Sequence, residues 1–141
     1  MSIWKQNIDL AKLNKFRANG LGSLLGINIV ARNKNTLFAE MPISDKHKQP
    51  HGIVHGGATA TLAETVASIA AWLCVDSEKY ITVGLELNIN HLRAVTKGVL
   101  IAESTAIHVG RSTQVWQINI YDEKNKQVSS SRLTVSNITR K

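Results

Sequence analysis

A pair of glycines opening a helix, with a carboxylate eight residues further on, is an arrangement that can carry acyl transfer. Here the glycines are Gly56 and Gly57, preceded by His55, and the carboxylate is Glu64. A helix start offers free backbone N–H groups and the positive end of the helix dipole, and both suit a developing anion. Glycine at that point lets a ligand approach the backbone closely. Glu64 falls among Leu62, Ala63, Val66 and Ala67, and burial there is expensive for a carboxylate without a partner. In such a site the helix start holds an oxyanion while the glutamate attacks the carbonyl or activates water. At ~1.5 Å of rise per residue the two features lie about 12 Å apart along one helix, too far to act on one carbonyl. A site that uses both therefore takes its glycine from one subunit and its glutamate from a two-fold mate.

Other reactive side chains add less. His51 and His55 are two imidazoles, but no third ligand stands at metal-binding spacing, so no metal is expected. No dinucleotide motif calls for a cofactor. Cys74 is the single cysteine and reads as a small core residue; without an internal disulfide or a charged-then-apolar leader, a cytoplasmic setting is expected.

The elements that must position these residues follow from patterning. The chain has 141 residues, 43% hydrophobic and 19% charged, with two prolines and nine glycines, which predicts one domain over 1–141 and excludes disordered or collagen-like chains. Residues 7–17 have helical spacing, ended by Asn19-Gly20-Leu21-Gly22. Strands are expected over 25–30 and 36–41, then a loop rich in Lys and His over 44–51. Residues 56–75 are apolar on every side, which predicts a helix buried nearly all round. Its length approaches a membrane span, but Thr59, Thr61, Glu64, Thr65 and Ser68 oppose insertion, so it reads as a core helix. Alternation then takes over, with strands over 81–92, 99–109, 115–121 and 127–138 joined as a meander; Ile81, Val83, Leu85, Leu87 and Ile89 fall on one face. The class is α+β, one long helix covering an antiparallel sheet. The net charge of +7 favours anionic partners: nucleic acid, a membrane surface or a phosphorylated small molecule.

The run Gln49-Pro50-His51-Gly52-Ile53-Val54-His55-Gly56-Gly57, continued by Leu62-Ala63-Glu64-Thr65-Val66-Ala67-Ser68, resembles the motif of the hotdog-fold acyl-CoA thioesterases. The similar subgroup contains the bacterial 1,4-dihydroxy-2-naphthoyl-CoA and enterobactin proofreading thioesterases. Val83-Gly84-Leu85-Glu86-Leu87-Asn88, Asn90-His91-Leu92-Arg93, His108-Val109-Gly110-Arg111 and Ser130-Ser131-Arg132-Leu133-Thr134 extend the likeness over nearly the whole chain. It implies a hotdog fold, a long central helix wrapped by five to six antiparallel strands. It also implies hydrolysis, without a cofactor, of an aromatic acyl-CoA (1,4-dihydroxy-2-naphthoyl or benzoyl type) or a medium-chain one. Glu64 would be the nucleophile or general base and the Gly56 N–H the oxyanion donor. Gln49 and His55 would position substrate and water, with Ser68 assisting one turn beyond Glu64. Gly84, the stretch His91, Leu92, Arg93 and Ala94, and the stretch His108, Val109, Gly110, Arg111, Ser112 and Thr113 would hold coenzyme A, whose phosphates suit Arg93 and Arg111.

Relatives of this kind form tetramers from two dimers, so a homodimer with shared sites and a homotetramer are expected. His51 stands where close relatives often carry an aromatic residue, and the 76–79 loop is one residue longer. Two other roles compete on the same pattern: a hotdog dehydratase acting on acyl carrier protein, and a non-catalytic acyl-CoA binder. A nucleic-acid module is disfavoured, since only three Trp, two Tyr and two Phe are present and no helix-turn-helix or zinc finger is visible.

Overall fold

A computed structural model describes residues 1–141. Two short helices, α1 (Leu10–Phe16) and α2 (Leu21–Leu24), lead into strands β1 (Asn28–Arg32) and β2 (Thr36–Pro42). A 3-10 turn (Asp45–His47) precedes the long helix α3 (Gly56–Leu73), and β3 (Tyr80–His91), β4 (Val99–Val109), β5 (Thr113–Tyr121) and β6 (Gln127–Thr139) complete one sheet. α2 occupies residues at and just after the helix-breaking run, so the first strand begins at Asn28, three residues later than patterning predicts.

The strand order is β1-β2-β4-β5-β6-β3, and every neighbouring pair is antiparallel. This corrects the expected four-strand meander. Only β4, β5 and β6 follow one another, while β3 lies at the far edge against β6. The cause is α3, which packs across the inner face from β2 to β3 and so delivers the chain to the distant edge. The return connection then crosses the sheet end, where the Leu92 and Arg93 N–H groups donate to the Val128 carbonyl at 2.8 and 3.3 Å.

The core lies between α3 and the sheet. Ala63, Ala67, Ala70 and Ala71 on the helix are fully buried, and their small size lets the backbone lie close on Leu100, Ala102, Ile118, Ile120 and Leu133. Trp116 is fully buried, and its indole N–H donates to Gln114 Oε1 at 3.1 Å. The Gln114 amide in turn donates to the Ala71 carbonyl and to Asn137 Oδ1, at 3.1 and 2.9 Å. Near the N-terminus Trp4 stacks on Trp116, with centroids 6.0 Å apart. The Lys5 and Gln6 N–H groups donate to the Leu73 carbonyl at 2.8 and 3.1 Å, satisfying the open end of α3.

Two expectations about burial change. α3 is not buried all round: Thr61, Glu64, Thr65 and Ser68 form a stripe that faces away from the core, and Glu64 itself is exposed in the single chain. The apolar run conceals this because the polar residues recur at three- and four-residue intervals and so share one face. On β3 a bulge between Gly84 and Glu86 leaves Leu85 unpaired and reverses the alternation. Leu87 and Ile89 are half-buried opposite Leu133 and Ser131, whereas Ile81, Val83 and Leu85 are exposed.

Candidate active site

His55 is the N-cap of α3, and its Nδ1 accepts the Gly57 N–H at 2.8 Å. That bond leaves Nε2 as the free nitrogen of the ring. The Gly56 N–H, by contrast, finds no acceptor within the chain. It is the open donor of the helix start, and the dipole of an 18-residue helix stands behind it. The His91 ring packs directly over this point, with Nε2 3.0 Å from where a Cβ on residue 56 would stand. Any larger residue there would push the ring aside.

The loop before α3 is fastened by a residue that sequence reasoning passed over. His47 is 2% exposed. Its Nδ1 accepts the Ser44 N–H at 2.9 Å, and its Nε2 donates to the Leu25 carbonyl at 2.7 Å. Because a carbonyl only accepts, the proton belongs on Nε2. The His47 carbonyl then receives the His55 N–H at 2.8 Å, which ties the cap of α3 to the rest of the loop. The only local signal is a Ser three residues before a His, the reciprocal cap of the 3-10 turn.

Gln49, Gly56, His91, Leu92, Arg93 and Ala94, all expected site residues, line one cleft of about 390 Å³. Glu64 lies two turns along α3 from that cleft. Its carboxylate rests against Gly84, with Oε1 2.8 Å from where a Cβ on that residue would be. Gly84 thus makes the space the carboxylate occupies, and it sits beside the bulge of β3. Ser68 opens onto a separate groove bordered by α1.

The second basic stretch lies elsewhere. His108, Val109, Gly110, Arg111, Ser112 and Thr113 form the β4–β5 hairpin, held by Gly110 N–H to Thr113 carbonyl at 2.9 Å and by Asn137 Nδ2 to the Gly110 carbonyl at 3.0 Å. Val109, Gln114, Val135 and Gly84 lie in one row across the sheet, whereas His91 is seven positions further along β3, about 23 Å at ~3.3 Å per residue. One chain therefore does not bring Arg111 to Arg93. Arg111 borders a cavity of about 280 Å³ together with Lys5, Cys74 and Tyr80. Burial pushes the Cys74 thiol up to about 12, so it is inert as a nucleophile there.

The model of the thioesterase superfamily matches residues 51–129, which span the helix start, Glu64, Gly84 and both basic stretches. The chain belongs to the thioesterase superfamily. This thioesterase is 41% identical over 134 residues to the 1,4-dihydroxy-2-naphthoyl-CoA hydrolase of Escherichia coli, covering 95% of this chain and 98% of that one. It is 42% identical over 130 residues to a proofreading thioesterase of Klebsiella pneumoniae, covering 92% and 94%. Among solved structures it superposes on a mutant thioesterase from Pseudomonas aeruginosa with a TM-score of 0.96 and 42% identity, over 99% of this chain and 100% of that one. The architecture, one long helix on a six-stranded antiparallel sheet, is the hotdog fold. The thioesterase is an enzyme of the thioester hydrolase class. No helix in it is long and apolar enough to cross a membrane.

Proposed function

We propose that the protein hydrolyses the thioester of an acyl-CoA to the free acid and coenzyme A in sites shared between two copies of the chain. The observation that carries this reading is the unpaired Gly56 N–H at the start of α3, opening on a cleft that also holds Gln49, His91 and Arg93. The thioester oxygen accepts that N–H, and the helix dipole stabilises the charge that develops on it. The carboxylate comes from Glu64 of a two-fold mate, since about 12 Å of helix separates Gly56 from Glu64 within one chain. Two further features support a dimer. Glu64 is exposed in the single chain, and the edge strand β3 is twelve residues long with one side unpaired.

Glu64 acts in one of two ways. As nucleophile its oxygen bonds to the carbonyl carbon, the C–S bond breaks to release the thiolate, and water then cleaves the mixed anhydride. As general base it takes a proton from the water that attacks the carbon and returns that proton to the sulfur as the C–S bond breaks, so coenzyme A leaves as the thiol. Gln49 and the free Nε2 of His55 orient substrate and water, and Ser68 assists. Arg93 with His91, Leu92 and Ala94 of one copy, and Arg111 with His108, Val109, Gly110, Ser112 and Thr113 of the other, hold coenzyme A through its phosphates.

The acyl group is aromatic or medium-chain. The first candidate substrate is 1,4-dihydroxy-2-naphthoyl-CoA, which would assign the enzyme to menaquinone biosynthesis; the name of the Escherichia coli relative, a 1,4-dihydroxy-2-naphthoyl-CoA hydrolase, supports that substrate. The single cysteine suits a reducing compartment, the cytoplasm, and two dimers assemble as a tetramer. Thiol release from benzoyl-, 1,4-dihydroxy-2-naphthoyl- and hexanoyl-CoA tests the reading. At least one ester is turned over, and Glu64→Gln slows it at least about 100-fold while the dimer persists. Binding of all three without thiol release would make the protein a carrier instead. Undiminished release by folded Glu64→Gln would remove Glu64 from the mechanism.

A further inference from the structure

Between α1, α3 and the start of β3 runs a groove of about 220 Å³, bordered by Leu13, Phe16, Arg17, Ser68, Trp72 and Thr82. Its floor is the face of α3 that carries Glu64. Ser68 lies one turn beyond Glu64 and Trp72 two turns beyond, about 6 and 12 Å at ~1.5 Å per residue. Phe16 and Trp72 stack at 6.2 Å with ring planes 10° apart, forming a flat apolar wall. Phe16 is 77% exposed, so this wall is open to an incoming group.

Arg17 is the one charged residue of the groove. Its guanidinium is half-buried, and it neither donates a hydrogen bond nor meets a carboxylate within the chain, whose ion pairs are Lys12–Asp9, Lys48–Asp45 and Lys79–Asp76. It packs over Gly22, beside Thr65 of α3. Nη2 stands 2.8 Å from where a Cβ on Gly22 would be, and the Thr65 methyl stands 3.4 Å from the same point, next in sequence to Glu64. Burial lowers the Arg17 pKa from its ordinary value, the sign of a cation that has lost part of its hydration. An acceptor oxygen brought into the groove would restore what that cation has given up, and a guanidinium fork suits a carboxylate or a ring hydroxyl.

We propose that this groove receives the acyl group of the thioester, and that Arg17 selects acyl groups carrying an acceptor oxygen remote from the thioester carbon. The inference rests on the reading of Glu64 as the carboxylate that acts on that carbon. The flat wall takes a planar ring, Ser68 lies alongside it, and the guanidinium meets the oxygen. Arg17 is thus a specificity residue belonging to the same subunit as the glutamate.

The test compares kcat/KM for benzoyl-, 4-hydroxybenzoyl- and 4-carboxybenzoyl-CoA in the full-length protein, its Arg17→Met variant and its Arg17→Lys variant. The native protein favours at least one oxygen-bearing ester over benzoyl-CoA by about tenfold or more, the scale of a hydrogen bond to a charged group. Which ester gains separates a carboxylate from a hydroxyl as the favoured acceptor. In Arg17→Met that ester loses about tenfold more than benzoyl-CoA does, and Arg17→Lys, which keeps the charge without the fork, lies between. Equal rates for the three esters in the native protein would overturn the inference, whether or not the variants fold, and leave the hydrolase reading standing. An equal loss on all three in Arg17→Met, accompanied by weaker dimerisation, would make the groove a seat for the second copy instead. No thiol from any ester in the native protein would remove the hydrolase reading and this inference with it.

Discussion

At position 84 the smallest side chain makes room for the carboxylate proposed to act on the thioester. Alanine there would put a methyl group 2.8 Å from Glu64 Oε1, and the carboxylate, at the end of a flexible side chain, is what yields. Gly84→Ala is therefore expected to keep the melting temperature within a few degrees while lowering kcat by about tenfold or more, since small displacements of a reacting group are costly. Steady-state kinetics beside a thermal melt would check both halves; a large fall in melting temperature would mean that the glycine serves the β3 bulge instead. Cys74 offers the opposite case. With its thiol raised to about 12 by burial, almost none of it is thiolate at pH 8, and it is 1% exposed. Iodoacetamide at that pH should label Cys74 only after unfolding, which mass spectrometry reads directly. That two glycines open α3, that Glu64 lies on that helix and that Cys74 is a core residue were legible in sequence. The contact between Gly84 and Glu64 was not, because it joins α3 to β3 across a gap in the chain that no spacing encodes.

Element types follow closely from period. β4 runs over the residues that alternation assigns, and α3 ends two residues early, where Leu73 meets the N-terminal segment. Register is a different matter. Residues 81–89 alternate without a flaw, yet the bulge at Leu85 turns the first half of the strand outward. Alternation reports a period, and an inserted residue leaves the period intact on either side. Gln114 belongs to this scale too, because one amide links β5 to α3, to β6 and to the buried indole. Gln114→Leu leaves the Trp116 N–H without its acceptor, and the Ala71 carbonyl loses a donor. The Ala71 carbonyl keeps the Cys74 N–H at 3.1 Å, so the expected cost is that of the stranded indole N–H, about 1–3 kcal/mol, seen as a melting temperature lower by several degrees. An unchanged melt would show that the amide is dispensable.

For the whole molecule the division of labour along α3 can be measured by mixing. Proline is tolerated at the first position of a helix and carries no N–H. Gly56→Pro therefore deletes the proposed oxyanion donor, at the cost of a small shift in His91, while leaving Glu64 in place. Glu64→Gln does the reverse. Each variant alone should be nearly inactive. Unfolded and refolded together, they form mixed dimers in which one of the two sites has both native residues, so about a quarter of the native activity should return. No recovery, with mixed dimers demonstrated by mass, would place both residues in one chain's site.

In the proposed shared-site dimer one helix serves two sites, so the severity of a lesion depends on how it is distributed between gene copies. A cell carrying one native gene and one encoding Glu64→Gln keeps about half its activity, since each native glutamate finds a usable helix start on either partner. Put Gly56→Pro and Glu64→Gln in the same gene copy, and every mixed dimer is dead at both sites, leaving about a quarter. The single change behaves as a simple loss of dose; the double change poisons the native product.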